Sequence, residues 1–439
     1  MAASSLRTVQ HQAAGLLLYQ DVLNHPVGET FFVLLDALQA GHVVACLRAY
    51  GAWFQALADL GQNWSGFIKA QILQADNPFS QQAQRRPLAE IPPGIVAGAE
   101  ADLIALQGLC DCDAGQIAQW VKTVCKPAIP PIPWEGQPDP VSLFDDLPDW
   151  RKAIAPLAQY YQRQGVGIWG QYRALRWHGG KLVGVAHPDP IQLRDLVGYE
   201  QPQAQLVQNT EFLLNGSPAL HVLLYGSRGS GKSSLVKALV QEYGDRGLRL
   251  IEVAKGELQA LPMIVEQLRD LPQKFIIFVD DLSFEEDDEA FKSLKVVLEG
   301  NITARPGNVV VYATSNRRHL VREFFSDRPR PQDGDEVQAW DTVQEKLSFS
   351  DRFGLTLTFG PADQETYLAI VRHLAQGYGI SLPDLDAQAK QWATRHNGRS
   401  GRSARQFIDH LRATLGLGQS DTITPMETSG EEFGDRVLM

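Results

Sequence analysis

The sequence has few cysteines and no long hydrophobic run. Its 439 residues include four cysteines, too few to predict a disulfide framework, so a reducing cytosol is expected. No apolar segment approaches the roughly 20 residues that a membrane-spanning helix needs. The start, MAASSLRTVQ, is not followed by a long apolar core, so no signal peptide is expected. These absences predict a cytoplasmic protein without a membrane partner.

Positive charge is also scarce. Lys and Arg total 40 against 51 Asp and Glu, which gives a formal net charge of −11. This balance disfavours a broad electrostatic grip on nucleic acid, although a local basic surface is compatible with it. Nucleic acid is therefore an allowed but not a favoured partner. The composition is otherwise that of a globular protein, with 44% hydrophobic residues.

The spacing of apolar residues divides the chain into five segments. Within residues 1–126, apolar residues recur at spacings of three and four, which predicts a helical N-terminal domain. Residues 127–189 open with PAIPPIPWEGQPDP and predict a proline-rich connector, a helix and a hairpin. Residues 190–360 alternate short apolar runs with helical patterns, which predicts an α/β core whose parallel sheet is covered on both faces. Residues 361–416 predict helices only, and 417–439 a disordered tail.

The stretch HVLLYGSRGSGKSSLVKALV, residues 221–240, has the spacing of a phosphate-binding loop. Gly226 is followed by four residues and then by Gly231, Lys232 and Ser233. Glycines let backbone N–H groups curl around phosphate oxygens, and the start of the next helix adds partial positive charge. The lysine reaches the β- and γ-phosphates, and the serine hydroxyl can bind Mg²⁺. The residues expected to bind nucleotide are Gly226, Ser227, Arg228, Gly229, Ser230, Gly231, Lys232, Ser233 and Ser234.

The run FIIFVDD, residues 275–281, ends a predicted buried strand on two adjacent carboxylates. In a parallel sheet Asp280 would lie beside the phosphate loop, where its natural cation is the Mg²⁺ of a bound nucleotide. The sequence therefore predicts Ser233 and Asp280 as metal ligands. Asp281 could then accept a proton from, or orient, the water that attacks the γ-phosphate. The alternative is that Asp281 only caps the following segment.

These motifs, in this order, resemble those of AAA+ ATPases over about 190–415. The segment DLVGYEQPQAQL resembles the start of the AAA+ module, which implies that Val197 and Gly198 contact adenine. The segment YATSN resembles the sensor-1 strand. That likeness implies that Asn316 hydrogen-bonds the attacking water and the γ-phosphate. The alternative is that Asn316 is a turn residue.

Two arginines extend the resemblance. The segment LSFSDRFGLTLTF resembles the arginine-finger region, which implies that Arg352 acts on the nucleotide of a neighbouring subunit in a homo-oligomer. The alternative is a local surface arrangement of Asp351 and Arg352. The segment GRSGRSARQFIDHL resembles the sensor-2 helix of the lid, which implies that Arg405 senses the γ-phosphate. Arg402, one turn earlier, is the competing candidate.

Within AAA+ proteins, this chain is most similar to a family of bacterial predicted ATPases without an established role. The segments that carry this resemblance are VDDLSF, LEGNITARPGNVVVYATSNRRHL and SDRFGL. A more distant resemblance is to replication initiators and helicase loaders. The resemblance implies a P-loop AAA+ α/β core, a C-terminal helical lid and a mainly α-helical N-terminal domain. It also implies ATP as the nucleotide and Mg²⁺ as the cofactor.

Two functions are compatible with this pattern. The first is an ATPase that remodels or loads an unknown macromolecular partner, with a protein partner contacted through the N-terminal domain. The second is a nucleotide-gated switch that hydrolyses ATP slowly. The shortness of Asp281, where a Glu is the more usual base, favours the second.

Overall fold

The computed structural model describes residues 2–137, 142–283, 289–299, 305–316, 348–396 and 398–420. The helices are α1 Ala2–Ala14, α2 Pro26–Ala40, α3 Val43–Leu60, α4 Trp64–Gln74, α5 Pro78–Ala83, α6 Pro93–Cys110, α7 Ala114–Cys125, α8 Ile154–Gln164, α9 Ile168–Gln171, α10 Glu200–Leu214, α11 Lys232–Tyr243, α12 Leu261–Leu268, α13 Glu289–Glu299, α14 Gln364–Gly377, α15 Leu385–Arg395 and α16 Gly401–Ser420. The strands are β1 Ala174–His178, β2 Lys181–Gly184, β3 Val222–Gly226, β4 Leu248–Glu252, β5 Lys274–Val279, β6 Val309–Ser315 and β7 Leu355–Phe359. Short 3-10 turns lie at Gln20–Leu23, Leu88–Glu90, Trp150–Ala153, Leu193–Asp195, Gly244–Arg246, Lys255–Ala260 and Ser348–Arg352.

The described strands form one sheet in the order β2-β1-β4-β5-β6-β3-β7. The β1–β2 hairpin is antiparallel, and the other neighbouring strands are parallel. The strand that leads into the glycine loop, β3, lies between β6 and β7. Because parallel strands end at the same edge, the segments that follow β3, β5 and β6 meet there.

Helices cover both faces of this sheet, because successive residues of a buried strand point to opposite sides. In β5, Phe275 and Ile277 belong to the apolar cluster on the side of α12 and α13. Ile276 and Phe278 belong to the cluster on the side of α10 and α11. The sheet order, its two covered faces, the C-terminal helices and the N-terminal helices confirm the predicted P-loop AAA+ fold class.

The N-terminal helices share a separate apolar cluster that runs from Leu6 to Val166. The proline-rich segment lies against this body: the Tyr50 hydroxyl donates to Ile132 O at 2.6 Å, and Trp134 Nε1 donates to Gln62 O at 2.9 Å. Helix α8 packs into the same cluster, whereas the β1–β2 hairpin extends the sheet beside β4. The predicted 127–189 segment is therefore shared between the two bodies, and its boundaries stay a prediction.

Helices α14, α15 and α16 pack together as a small C-terminal body. Helix α16 continues to Ser420, so residues 417–420, predicted to belong to the tail, are helical. No proline stops the helix before Pro425 of the sequence. The rest of the predicted tail, residues 421–439, lies outside the described residues. Among the helices that are described, none is long and apolar enough to cross a membrane.

Candidate nucleotide-binding and catalytic site

The phosphate loop begins where β3 comes closest to the end of β7. Gly226 has φ +142°, and a Cβ added there would lie 1.9 Å from Phe359 O. The next residue, Ser227, donates its N–H to the same carbonyl at 2.9 Å. Only glycine fits this approach of two backbones. The first glycine of the motif therefore starts the turn that carries the loop out of the sheet.

Lys232, the first residue of α11, is buried inside the loop and is 6% exposed. Its Nζ donates to Gly226 O at 3.0 Å and to Ser227 O at 2.7 Å. Burial lowers the pKa of Lys232, while the charges of Asp280 and Asp281 oppose that shift. The ammonium is thus held by neutral carbonyls that a phosphate oxygen can replace.

The two predicted magnesium ligands are adjacent. The Ser233 hydroxyl donates to Asp280 Oδ1 at 2.6 Å, joining the start of α11 to the end of β5. Thr314, in the neighbouring strand β6, donates its hydroxyl to the same carboxylate oxygen. Hydroxyl and carboxylate oxygens are the hard donors that Mg²⁺ prefers. The chemistry of these residues therefore fits a magnesium ion.

Asp281 and Asn316 lie in direct contact beside this pair. Asn316 Nδ2 donates to Asp281 Oδ1 at 2.7 Å, and Lys232 Nζ lies 3.4 Å from Asn316 Oδ1. The Asp281 backbone has φ +51°, a left-handed conformation that is uncommon outside glycine. The amide of Asn316 thus links the loop lysine to the second aspartate. A carboxylate that can accept a proton and an amide that can form a hydrogen bond are the two groups needed to orient and activate a water molecule.

A cavity of about 600 Å³ joins these groups to the lid. Sequence-predicted residues in its lining are Val197, Gly198, Arg228, Gly229, Ser230, Gly231, Lys232, Ser233, Ser234, Asp280, Asp281, Asn316 and Arg405. Gly198 has φ +83° and packs close to Thr366 of α14, where a Cβ would lie 2.8 Å from its Cγ2. The predicted adenine residues and the phosphate loop thus border one space.

Some lining residues were not predicted as site residues. Phe359, Ile370 and Leu374 add apolar surface from β7 and α14, and Thr314 adds a hydroxyl. The helical spacing of Ile370 and Leu374 indicates one buried face, which could have suggested a role only once the lid was placed over the loop. A threonine inside a buried strand gives no signal of its own, because β-branched residues are common there.

The lid touches the phosphate loop through its backbone. Arg402 N donates to Gly229 O at 3.3 Å, and a Cβ on Gly229 would lie 3.1 Å from Arg402 Cβ. Arg402 and Arg405 both line the cavity, and the positive charge of Arg402 helps to lower the Lys232 pKa. The structure therefore brings both sensor-2 candidates to the site and leaves the choice between them open.

Arg352 lies at the opposite edge of the sheet. In the β3–β7 pairing Val222 is opposite Leu355 and Gly226 is opposite Phe359, so Arg352 precedes the strand at its amino end. Five residues of strand span about 13 Å, which separates this arginine from its own phosphate loop. Its guanidinium forms an ion pair with Glu299 at the end of α13. Arg352 is thus not brought together with the other predicted residues within the subunit.

Comparisons with known proteins bear on the family. No curated protein matches the chain significantly. Among solved structures, the chain is similar to the RuvB Holliday junction branch migration motor of Thermotoga maritima, at 17% sequence identity. The match covers 54% of this chain and 68% of that chain, with a TM-score of 0.36. Two single-substitution variants of that protein are similar at 16% identity, 54% of this chain, 68% and 69% of theirs, and a TM-score of 0.37.

The part of the chain that contains the sheet and the C-terminal helices also matches a protein family. Residues 170–415 match the family described as "Protein of unknown function (DUF815)". This match includes the phosphate loop, the aspartate pair, the sensor-1 strand and the lid, and it spans more than half of the 439 residues. The chain therefore belongs to the DUF815 family.

Proposed function

We propose that this protein is a cytosolic ATPase of the AAA+ type that couples ATP binding and hydrolysis to the remodelling or loading of a macromolecular partner. One observation supports this above the others: the loop lysine, both aspartates and the sensor-1 asparagine line a single cavity. A phosphate loop alone would suit nucleotide binding. The added carboxylate and amide groups suit hydrolysis as well.

Nucleotide binding would follow from the loop geometry. The ATP phosphates would accept hydrogen bonds from the loop amides and lie at the N-terminus of α11, whose dipole favours negative charge. Lys232 would exchange its carbonyl partners for phosphate oxygens. Val197 and Gly198 would hold the adenine ring, with the apolar side chains of α14 on its other side. The cavity borders both groups, which supports this placement.

Ser233 and Asp280 would hold Mg²⁺. When bound, the ion neutralises charge on the β- and γ-phosphates. Asp281 would accept a proton from the attacking water, and Asn316 would orient that water. The bond between the γ-phosphorus and the bridging oxygen would break, giving ADP and inorganic phosphate. The 2.7 Å contact between Asn316 and Asp281 supports a shared task at one position.

The remaining roles depend on other parts of the assembly. Arg352 would reach the nucleotide of a neighbouring subunit in a homo-oligomer, since it lies at the edge of the sheet opposite its own loop. Arg405, or Arg402, would report the γ-phosphate to the lid. The N-terminal helices would contact the protein partner. The exposed apolar side chains of Val33 in α2 and Val44 in α3 support that surface.

The first test is ATP turnover per subunit, measured against protein concentration. We expect wild-type turnover to rise with concentration. Asp281→Ala should lower it about 10²–10⁴-fold, and Arg352→Ala about 10³-fold or more, because each removes charge needed in the transition state. Arg176→Ala is the matched control, since this exposed arginine also forms an ion pair, with Glu252 at 2.8 Å. Concentration-independent turnover that Arg352→Ala leaves unchanged would exclude the finger across subunits.

Mixing two inactive variants tests the same point directly. Lys232→Ala subunits lack the phosphate ligand but keep Arg352, whereas Arg352→Ala subunits keep an intact loop. In a mixed oligomer, the intact Arg352 of one subunit would lie beside the intact phosphate loop of its neighbour, so we expect turnover above that of either variant alone. Mixtures no more active than the separate variants would contradict catalysis across a subunit interface.

A nucleotide-gated switch is the second candidate. The observation that favours it is the Asn316–Asp281 hydrogen bond, because this bond occupies one of the two carboxylate oxygens that could accept a proton from the water. Asp281 is also shorter than a glutamate. Tight ATP binding, negligible turnover at every concentration and indifference to both substitutions would favour this candidate over the ATPase.

A further inference from the structure

Thr314 is the next-to-last residue of β6 and is 2% exposed. Its hydroxyl contacts both members of the aspartate pair: it donates to Asp280 Oδ1 and accepts the Asp281 N–H at 3.0 Å. Its carbonyl also accepts the Leu282 N–H at 2.7 Å. One residue of β6 therefore holds three consecutive residues after β5.

This arrangement matters because the Asp281 backbone is in a strained region. A non-glycine residue at φ +51° is in a sparsely populated conformation, which persists only where the surrounding structure fixes it. The hydroxyl of Thr314 is the nearer of two acceptors for the Asp281 N–H in this conformation, at 3.0 Å, and Asp280 Oδ1 is the other at 3.2 Å. Without it, the turn that aims one carboxylate at Ser233 and the other at Asn316 loses a direct support.

We propose that Thr314 is a positioning residue that fixes the two carboxylates for magnesium binding and for water activation. The inference rests on the proposed ATPase function. The hydroxyl is the part of the side chain that matters, because valine would keep the β-branched shape that suits a buried strand. Removing a residue that hydrogen-bonds to a metal ligand, without contacting the metal itself, typically lowers metal affinity by about 10–100-fold.

The test compares Thr314→Val with Thr314→Ser. We expect Thr314→Val to lower turnover at saturating ATP about 10–100-fold, because a small misplacement of reacting groups is costly. The Mg²⁺ concentration for half-maximal tightening of binding of a fluorescent ATP analogue should rise about tenfold. Binding of the analogue without Mg²⁺ should stay within about twofold, since the phosphate loop is untouched. Thr314→Ser retains the hydroxyl and should behave as wild type within about threefold.

Two results would overturn the proposal. In the first, Thr314→Val would match wild type in its Mg²⁺ dependence. In the second, Thr314→Ser would lose as much as Thr314→Val, so that shape and not the hydroxyl would be the cause. The Mg²⁺ dependence of analogue binding needs no turnover. An absence of hydrolysis in the wild type would therefore contradict the ATPase proposal while this readout still decides the role of Thr314.

Discussion

His221 is a buried titratable residue at the start of the sequence motif that contains the phosphate loop. It is 4% exposed, and its Nδ1 accepts the Val311 N–H at 2.9 Å. Burial lowers the pKa of His221 from 6.5 to about 3, and the charge of Arg305 acts in the same direction. The imidazole is therefore neutral in the folded protein at pH 7.

This lowered pKa predicts a loss of stability in mild acid. Between pH 6.5 and 3 the unfolded chain binds a proton at His221 that the folded chain does not bind, so the free energy of unfolding falls as pH falls. The contribution of this residue lost between pH 7 and pH 5 is about 2 kcal/mol. Denaturant titrations at both pH values measure it.

The matched variant is His221→Asn, whose Oδ1 can still accept the Val311 N–H but which does not titrate. We expect its stability to fall less than that of wild type between pH 7 and pH 5, by about the same 2 kcal/mol. An equal loss in both proteins would assign the acid sensitivity to other groups. The comparison is between pH values within each protein, so the cost of the substitution itself cancels.

At the residue scale, the sequence predicts groups whose type and spacing carry the chemistry. The glycines, Lys232 and Asp280 are recognisable because their spacing, between an apolar strand and a helix, is rare outside nucleotide-binding sites. Thr314 is not recognisable from the sequence. It occupies an ordinary strand position, and its role depends on the aspartate atoms that the end of β5 brings near its hydroxyl.

At the scale of elements, the close approach of the ends of β3 and β7 sets the shape of the phosphate loop. We predict that Gly226→Ala lowers the free energy of unfolding by about 3 kcal/mol or more, since the added Cβ meets a backbone carbonyl at a strained φ. ATP binding should weaken with it. Gly360→Ala is the matched control, because a Cβ there has no neighbour within 4 Å among the described atoms.

Unfolding by denaturant and binding of a fluorescent ATP analogue measure both effects. Gly360→Ala should change stability by no more than about 0.5 kcal/mol. If Gly226→Ala were as mild as Gly360→Ala, the close approach of the two strands would not be what requires glycine at the first position of the motif.

Strands β3, β5 and β6 are predictable from sequence, because each is a short apolar run that ends in or next to Gly226, Asp280 or Asn316. The hairpin is predictable from its turn at Gly179 and Gly180. Its pairing with β4 is not, since an apolar run does not specify which sheet edge it joins. Likewise the resemblance predicts Arg352 as a finger, but only the strand register places it away from its own loop.

At the scale of the whole molecule, one buried arginine joins the N-terminal helices to the seven-stranded sheet. Arg249, in β4, is 1% exposed and donates to four backbone carbonyls. Its acceptors are Trp169 O, Gly244 O, Leu248 O and Gln164 O. Gln164 ends α8, so the guanidinium caps the negative end of that helix dipole. The guanidinium of Arg249 therefore fixes α8, which follows the proline-rich connector, to β4 of the sheet.

We predict that Arg249→Met destabilises the protein by about 3–5 kcal/mol, because methionine fills the space but leaves the buried carbonyls without a donor. The effect should concentrate at the junction of α8 with the sheet, where amide hydrogen exchange of residues 161–171 should accelerate. Arg246→Met is the matched control, since this arginine is exposed in the adjacent turn and its guanidinium lies over the Tyr243 ring, 5.3 Å from the ring centroid. It should cost no more than about 1 kcal/mol. Equal effects of the two substitutions would mean that the N-terminal helices are held to the sheet by their apolar contacts, with the buried guanidinium incidental. A loss confined to Arg249→Met would mean that the buried guanidinium fixes α8 to β4, the strand that pairs with β5 and so lies one strand away from the aspartate pair that follows β5.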